Sequence, residues 1–181
     1  MTLEHKFQKL GADVKLVDGH VIEGYASKFG LVDQGGDVVE KGAYAASIKR
    51  LSDKGGLVKM LWQHDPAQPI GIWDEVVEDA IGLRVKGRIL TNVVRGREAI
   101  ALLEAGAIDG LSIGYRTVKS HKSDKGKRIL SELDLWEVSL VTFPMLPDAR
   151  VDAKFDTPEA RVLVDIATAF REMGRVIAGR G

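Results

Sequence analysis

Between residues 13 and 143 the chain breaks into short runs of alternating apolar and polar residues, each closed by a turn signal. That period-two pattern, more than any other feature, points to a fold built on a sheet. The first run, VKLVDGHVIEGYASKF, carries Asp18 and Gly19 between two apolar halves, the strongest short-range signal for a hairpin. GLVDQGGDVVEKGAY sets Gly30, Gly35, Gly36 and Gly42 among acidic residues and reads as a loop with tight turns, followed by a short helix over residues 43–51. In LVKMLWQH the residues Val58, Met60, Trp62 and His64 share one face at period two, so His64 is expected to end an apolar row. IGIWDEVVEDAIGLRVKGRIL supplies two more strands joined over residues 78–82, and REAIALLEAG has helical spacing with Gly106 as its stop. GLSIGYRTV and ILSELDLWEVSLVTF read as an antiparallel pair across the basic turn KSHKSDKGKR. Past PMLPDARV, where two prolines end the sheet, Thr157 and Pro158 open an amphipathic helix with Val162, Ile166, Phe170, Met173 and Ile177 on its apolar stripe. Many strands and few short helices predict a mainly β fold of the α+β kind, a barrel or sandwich with helices outside it.

Composition narrows the chemistry. With 181 residues, 45% of them apolar, the chain has material for one core of ordinary size. Lys plus Arg equals Asp plus Glu at 26 each, so no global field draws the protein to nucleic acid or an anionic membrane. The basic turn is expected to be a solvated hairpin tip, and Trp62, Trp73 and Trp136 to be core rather than a base-stacking platform. The absence of cysteine removes disulfides, thiolate metal sites and cysteine nucleophiles together, and suits a reducing compartment. The four histidines lack ligand spacing, so no metal and no other cofactor is expected. MTLEHKFQKL lacks the apolar core of a signal peptide, no run is long enough to span a membrane, and a cytoplasm-like setting follows as the expectation.

GLSIG, residues 110–114, has the spelling of the nucleophile elbow of α/β-hydrolases. An elbow serine follows a strand and precedes a helix. Here a helical segment precedes Ser112 and alternating residues follow it, so the elbow is rejected and Ser112 is placed within a strand. A serine hydroxyl needs a base, and the base an orienting group. His64, at a strand end where it can be half-buried beside a cleft, is the best base, because its reference pKa near ~6.5 suits proton shuttling. For the third group LWEVSLV offers Glu137, whose carboxylate in an apolar strand calls for a partner. Asp134 and Glu132 compete for that role, since both faces of LDLWEVSLV carry apolar residues. The same residues also fit a purely structural barrel in which all three are packing residues, and, more remotely, an esterase.

GYASKFGLVDQGGDVVEKGAY, LWQHDPAQPIG, GLRVKGRI, LLEAGAIDGLSIGY and LWEVSLVTFPMLPDARV resemble, in that order, the successive blocks of the HK97-type prohead proteases of tailed phages. The resemblance covers residues 20–151. It implies a serine endopeptidase of capsid maturation, similar in fold to the β-barrel of the herpesvirus assembly proteases, whose triad runs His, Ser, His. Carried onto this chain, the triad is His64, Ser112 and, where the herpesvirus enzymes have their second histidine, Glu137. The arginine pair of the herpesvirus oxyanion site has no counterpart, because Met145 and Leu146 stand after VTFP. Backbone N–H groups near the serine are expected to serve the oxyanion instead. The implied substrates are the scaffolding segment of the major capsid protein and the protease itself, inside the procapsid in the bacterial host cytoplasm. The expected division is a protease barrel over residues 1–152 and a C-terminal amphipathic helix over 153–181, which packs on the barrel or docks a second copy or the scaffold segment.

Overall fold

The computed structural model describes residues 4–8, 15–33, 35–124 and 126–142. The expected helix over 153–181, and with it the division at residue 152, lies outside the described residues. The strands are β1 (Glu4–Gln8), β2 (Lys15–Val17), β3 (Val21–Lys28), β4 (Asp37–Val39), β5 (Lys59–Trp62), β6 (Asp65–Glu78), β7 (Gly82–Ile89), β8 (Gly110–Lys122) and β9 (Arg128–Val141). The helices are α1 (Ala45–Asp53) and α2 (Val94–Glu104). All nine strands among the described residues join one sheet in the order β1-β8-β9-β5-β6-β7-β3-β2, with β4 added alongside β9.

The sheet curls into a half-barrel, so that β3, near one end of the strand order, touches β8 and β1 at the other. Register shifts in the β3–β7, β5–β6, β6–β7 and β8–β9 pairs provide the bending, because each extra residue sharpens the local twist. Alternation decides which side chains fill the concave side. On β7 the residues Leu83, Val85 and Ile89 are buried at period two, as the sequence pattern requires. They meet Ile22, Met60, Ile70, Trp73, Leu111, Ile113 and Tyr115 in one cluster. The Asp18–Gly19 turn forms as expected, with φ of 51° and 70°, and joins β2 to β3.

The helices close what the strands leave open. Between β4, which pairs with β9 at residues 128–130, and β5, which pairs with it at 137–140, the edge of β9 has no neighbouring strand among the described residues. The turn into α1 and its first residues fill that gap: the Ala43 carbonyl accepts the Leu133 N–H at 2.9 Å, and Ser47 Oγ accepts the Leu135 N–H at 2.8 Å. Buried N–H groups are thereby paired without a strand. Helix α2 lies against β6 and β7 and ends at Glu104, two residues before Gly106, whose φ is 68°.

Three readings of the sequence are corrected. The glycine-rich loop contains β4, parallel to β9, because three residues are too few for an alternation signal and the pairing is non-local. Strand β5 stops at Trp62 rather than continuing through His64. Trp136 is 51% exposed rather than core, for a reason that also shapes the site.

Candidate active site

Strands β8 and β9 run antiparallel with Ser112 opposite Ser139 and Gly114 opposite Glu137. Tyr115, however, stands opposite Leu135, so Trp136 is an extra residue, a bulge between two paired positions. Its effect is on phase. Leu133 and Leu135 are buried toward the cluster at period two, and unbroken alternation would send Glu137 to that same side. The bulge instead lets Val138 and Leu140 continue the core row, facing the side of Ile113 and Leu111. Glu137 and Ser139 turn to the opposite face, beside Ser112. The face of Glu137, undecidable from an apolar strand sequence, is set by this one residue.

Strand β5 delivers the histidine. It runs parallel to β9, with Lys59 opposite Glu137 and Trp62 opposite Leu140, and the Gln63 N–H extends the pairing to the Leu140 carbonyl at 2.9 Å. Trp62 then pairs with Asp65 of β6, leaving Gln63 and His64 as a two-residue hairpin loop. Both have left-handed φ, 51° and 62°, which such a turn demands and which is uncommon for residues with side chains. Gln63 is tied down by a 2.6 Å bond from its Nε2–H to Thr142 Oγ1. The turn, not a period-two row, therefore aims His64 across β9 toward β8.

The three side chains meet. Ser112 Oγ lies 2.6 Å from His64 Nε2, and His64 Nδ1 is hydrogen-bonded to Glu137 Oε1. With Nδ1–H donating to the carboxylate, Nε2 is left to accept the Ser112 proton. Glu137 Oε2 accepts a hydrogen bond from Ser139 Oγ. Ser112 and Ser139 are 0% exposed and Glu137 4%, so the carboxylate is held by partners rather than by water. Gly114 makes the room: a Cβ there would stand 2.1 Å from Glu137 Oε1.

The competing carboxylates are held elsewhere. Asp134 binds Arg50 at 2.8 Å and Arg116 at 3.2 Å, and takes the Trp136 indole N–H at 3.3 Å. Burial pushes its carboxyl up, but the bonds from Arg50 and Trp136 with the charges of Arg50 and Arg116 bring it below the usual carboxylate range. Glu132 faces Lys119 and Arg50. Among the other histidines, His20 bonds the Asp18 carbonyl and His121 lies 3.7 Å from Glu40, both away from Ser112 in the register. Among the described residues no group of three or more His, Asp or Glu is placed to hold a metal.

Gly114 and Ser139 were not singled out from the sequence. The signal lay in two spacings: S-x-G on β8 and E-x-S on β9 put two pairs on one face, but only the register shows that the pairs oppose each other. Chemically, a hydroxyl bonded to an imidazole that is itself bonded to a buried carboxylate is the arrangement by which a serine is activated for attack on a carbonyl.

Comparison with known proteins agrees in kind. The profile of the family described as caudovirus prohead serine protease matches residues 10–161. The chain is 27% identical over 155 residues to the prohead protease of Enterobacteria phage HK97, a match that covers 84% of this chain and 68% of that protein. Its fold is similar to the structure of the bacteriophage T4 capsid assembly protease, with a TM-score of 0.62 at 17% identity, over 79% of this chain and 98% of that one.

Proposed function

The chain belongs to the caudovirus prohead serine protease family and is a serine peptidase of phage capsid maturation, and on that footing we propose that it cuts peptide bonds by acyl transfer through a triad of Ser112, His64 and Glu137. The observation that carries the reading is the chain of contacts from Ser112 Oγ through both ring nitrogens of His64 to Glu137, made by residues from three separate segments. His64 takes the Ser112 proton as the hydroxyl attacks the scissile carbonyl, and returns it to the leaving amine. Glu137 holds the imidazole in the tautomer that accepts at Nε2, and its negative charge stabilises the imidazolium that forms. Water then repeats the sequence on the acyl-enzyme.

The oxyanion needs donors of its own. At Ser112 strand β8 is paired on one edge with β1, at Phe7, and on the other with β9, at Ser139. N–H groups of the serine's own strand are thus engaged in ladders, and under this reading the donors are backbone N–H groups near the serine from a segment outside β8.

The substrates under this reading are the scaffolding segment of the major capsid protein and the protease chain itself, met inside the procapsid. No helix among the described residues is long and apolar enough to cross a membrane. The test is co-expression with the capsid subunit, wild type against Ser112→Ala, followed by gel electrophoresis and mass spectrometry. Shortened capsid subunits with the wild type and intact precursors with the variant are expected. Identical fragments in both would overturn the reading and favour a non-catalytic barrel.

A further inference from the structure

Ser139 lies directly across from the nucleophile, is fully buried, and has its hydroxyl on the oxygen of Glu137 that His64 does not use. We propose that Ser139 is a positioning residue of the catalytic machinery, acting through Glu137; this rests on the triad reading above.

A glutamate carboxylate turns broadly about its last torsion, so one hydrogen bond does not hold its plane. Gly114 leaves the space into which it reaches. Ser139 supplies the second donor. With Oε2 held from its own strand and Oε1 on His64 Nδ1, the carboxylate plane is set, and with it the imidazole and the direction of its Nε2. The bond also steadies the carboxylate that faces the imidazole, in a site with little water to do so. The i, i+2 spacing puts both partners on one face and the bulge at Trp136 turns that face toward Ser112, so the two residues of E-x-S act as a unit.

The probe is a fluorophosphonate, whose rate of attachment to Ser112 reports activation of that hydroxyl without a known substrate. Ser139→Ala is expected to slow labelling about ten- to a hundredfold, the loss of one hydrogen bond to a buried charge. Ser139→Thr, which keeps the hydroxyl, is expected to restore most of the rate. The double variant Ser139→Ala with Glu137→Ala should label no more slowly than Glu137→Ala alone, since nothing is left to position. The downfield proton resonance of the His64 Nδ1–H should shift in Ser139→Ala and hold in Ser139→Thr. If the alanine variant does not fold, Ser139→Cys, with a far weaker donor, replaces it. Persistent labelling in Ser112→Ala would sink the triad itself. A silent Ser112→Ala beside wild-type labelling in Ser139→Ala, or a slowing that adds in full to that of Glu137→Ala, would overturn the role of Ser139 and leave the triad standing.

Discussion

Gly114→Ala is the smallest change that separates the proposed mechanism from a merely structural barrel. The added Cβ would stand 2.1 Å from Glu137 Oε1, 2.7 Å from Cδ and 2.8 Å from Cγ, so the whole end of the side chain is in its way. To bring the closest contact to 3.0 Å the carboxylate must retreat by about 0.9 Å, or β8 and β9 must part by a similar amount. Oε1 carries the bond to His64, so retreat detaches the imidazole from its anchor. Misplacing a catalytic group by about 1 Å can cost ~10²-fold, and losing an orienting carboxylate outright costs ~10⁴-fold in the best-studied serine protease. A fall in kcat of about 10² to 10⁴ is therefore expected, with KM little changed because no substrate contact is removed. Overpacking should cost about 1–3 kcal/mol, a fall in Tm of roughly 2–12 °C for a chain this long, which leaves the fold intact. The assay is fluorophosphonate labelling and capsid-subunit cleavage in parallel with a thermal melt. A variant that melts as expected yet labels and cleaves at the wild-type rate would refute the placement of Glu137 as the partner of His64.

The remaining expectations use other parts of the molecule. Deleting Trp136 removes the bulge but leaves Tyr115 opposite Leu135 and Gly114 opposite Glu137, so regular alternation still turns Glu137 to the face of Ser112 and peptidase activity should persist, as it should within about threefold in Trp136→Ala; gel analysis of co-expressed capsid subunit checks both, and loss of cleavage in a folded deletion variant would count against Trp136 as the extra residue. Asp134 has its folded pKa below the ordinary 3.8, so its contribution to stability is complete above that value and is lost as the pH falls through the folded one. Asp134→Asn should therefore flatten the acid side of a stability-versus-pH curve measured by urea melts, and an unchanged slope below pH ~4 would count against the Arg50–Asp134–Arg116 cluster as its source. For residues 153–181 the proposed docking role predicts that Phe170→Asp with Met173→Asp abolishes self-association or encapsidation in a protein that still folds; loss of folding would assign that apolar stripe to the chain's own barrel.

Much of this was legible in the residues. The hairpin at Asp18–Gly19, the helix stop at Gly106 and the pairing of β8 with β9 follow from local chemistry, namely positive φ tolerance and alternation. The rejection of the elbow at GLSIG also needed only local order, a helix before the serine and a strand after it. For His64 the structural reason differs from the expected one: the period-two row ends at Trp62, and a left-handed turn carries the imidazole to the serine. Turns of that kind in non-glycine residues are stabilised by the strands they join and by contacts such as Gln63 with Thr142, which are distant in sequence. Strand β4 and the exposure of Trp136 leave no local signal for the same reason, since both depend on how β9 is paired rather than on its own composition.

From its residue types and their spacing alone, the chain specified a mainly β protein with the three functional groups a serine peptidase needs, because alternation, turn chemistry and side-chain reactivity are properties of neighbours along the backbone. Only tertiary structure decided which carboxylate meets His64, what holds it, and where room is left for it. Those outcomes depend on strand register and on a one-residue bulge, and in an apolar strand such as LDLWEVSLV either phase satisfies the local pattern until β8, β5 and the core on one side of the sheet select one.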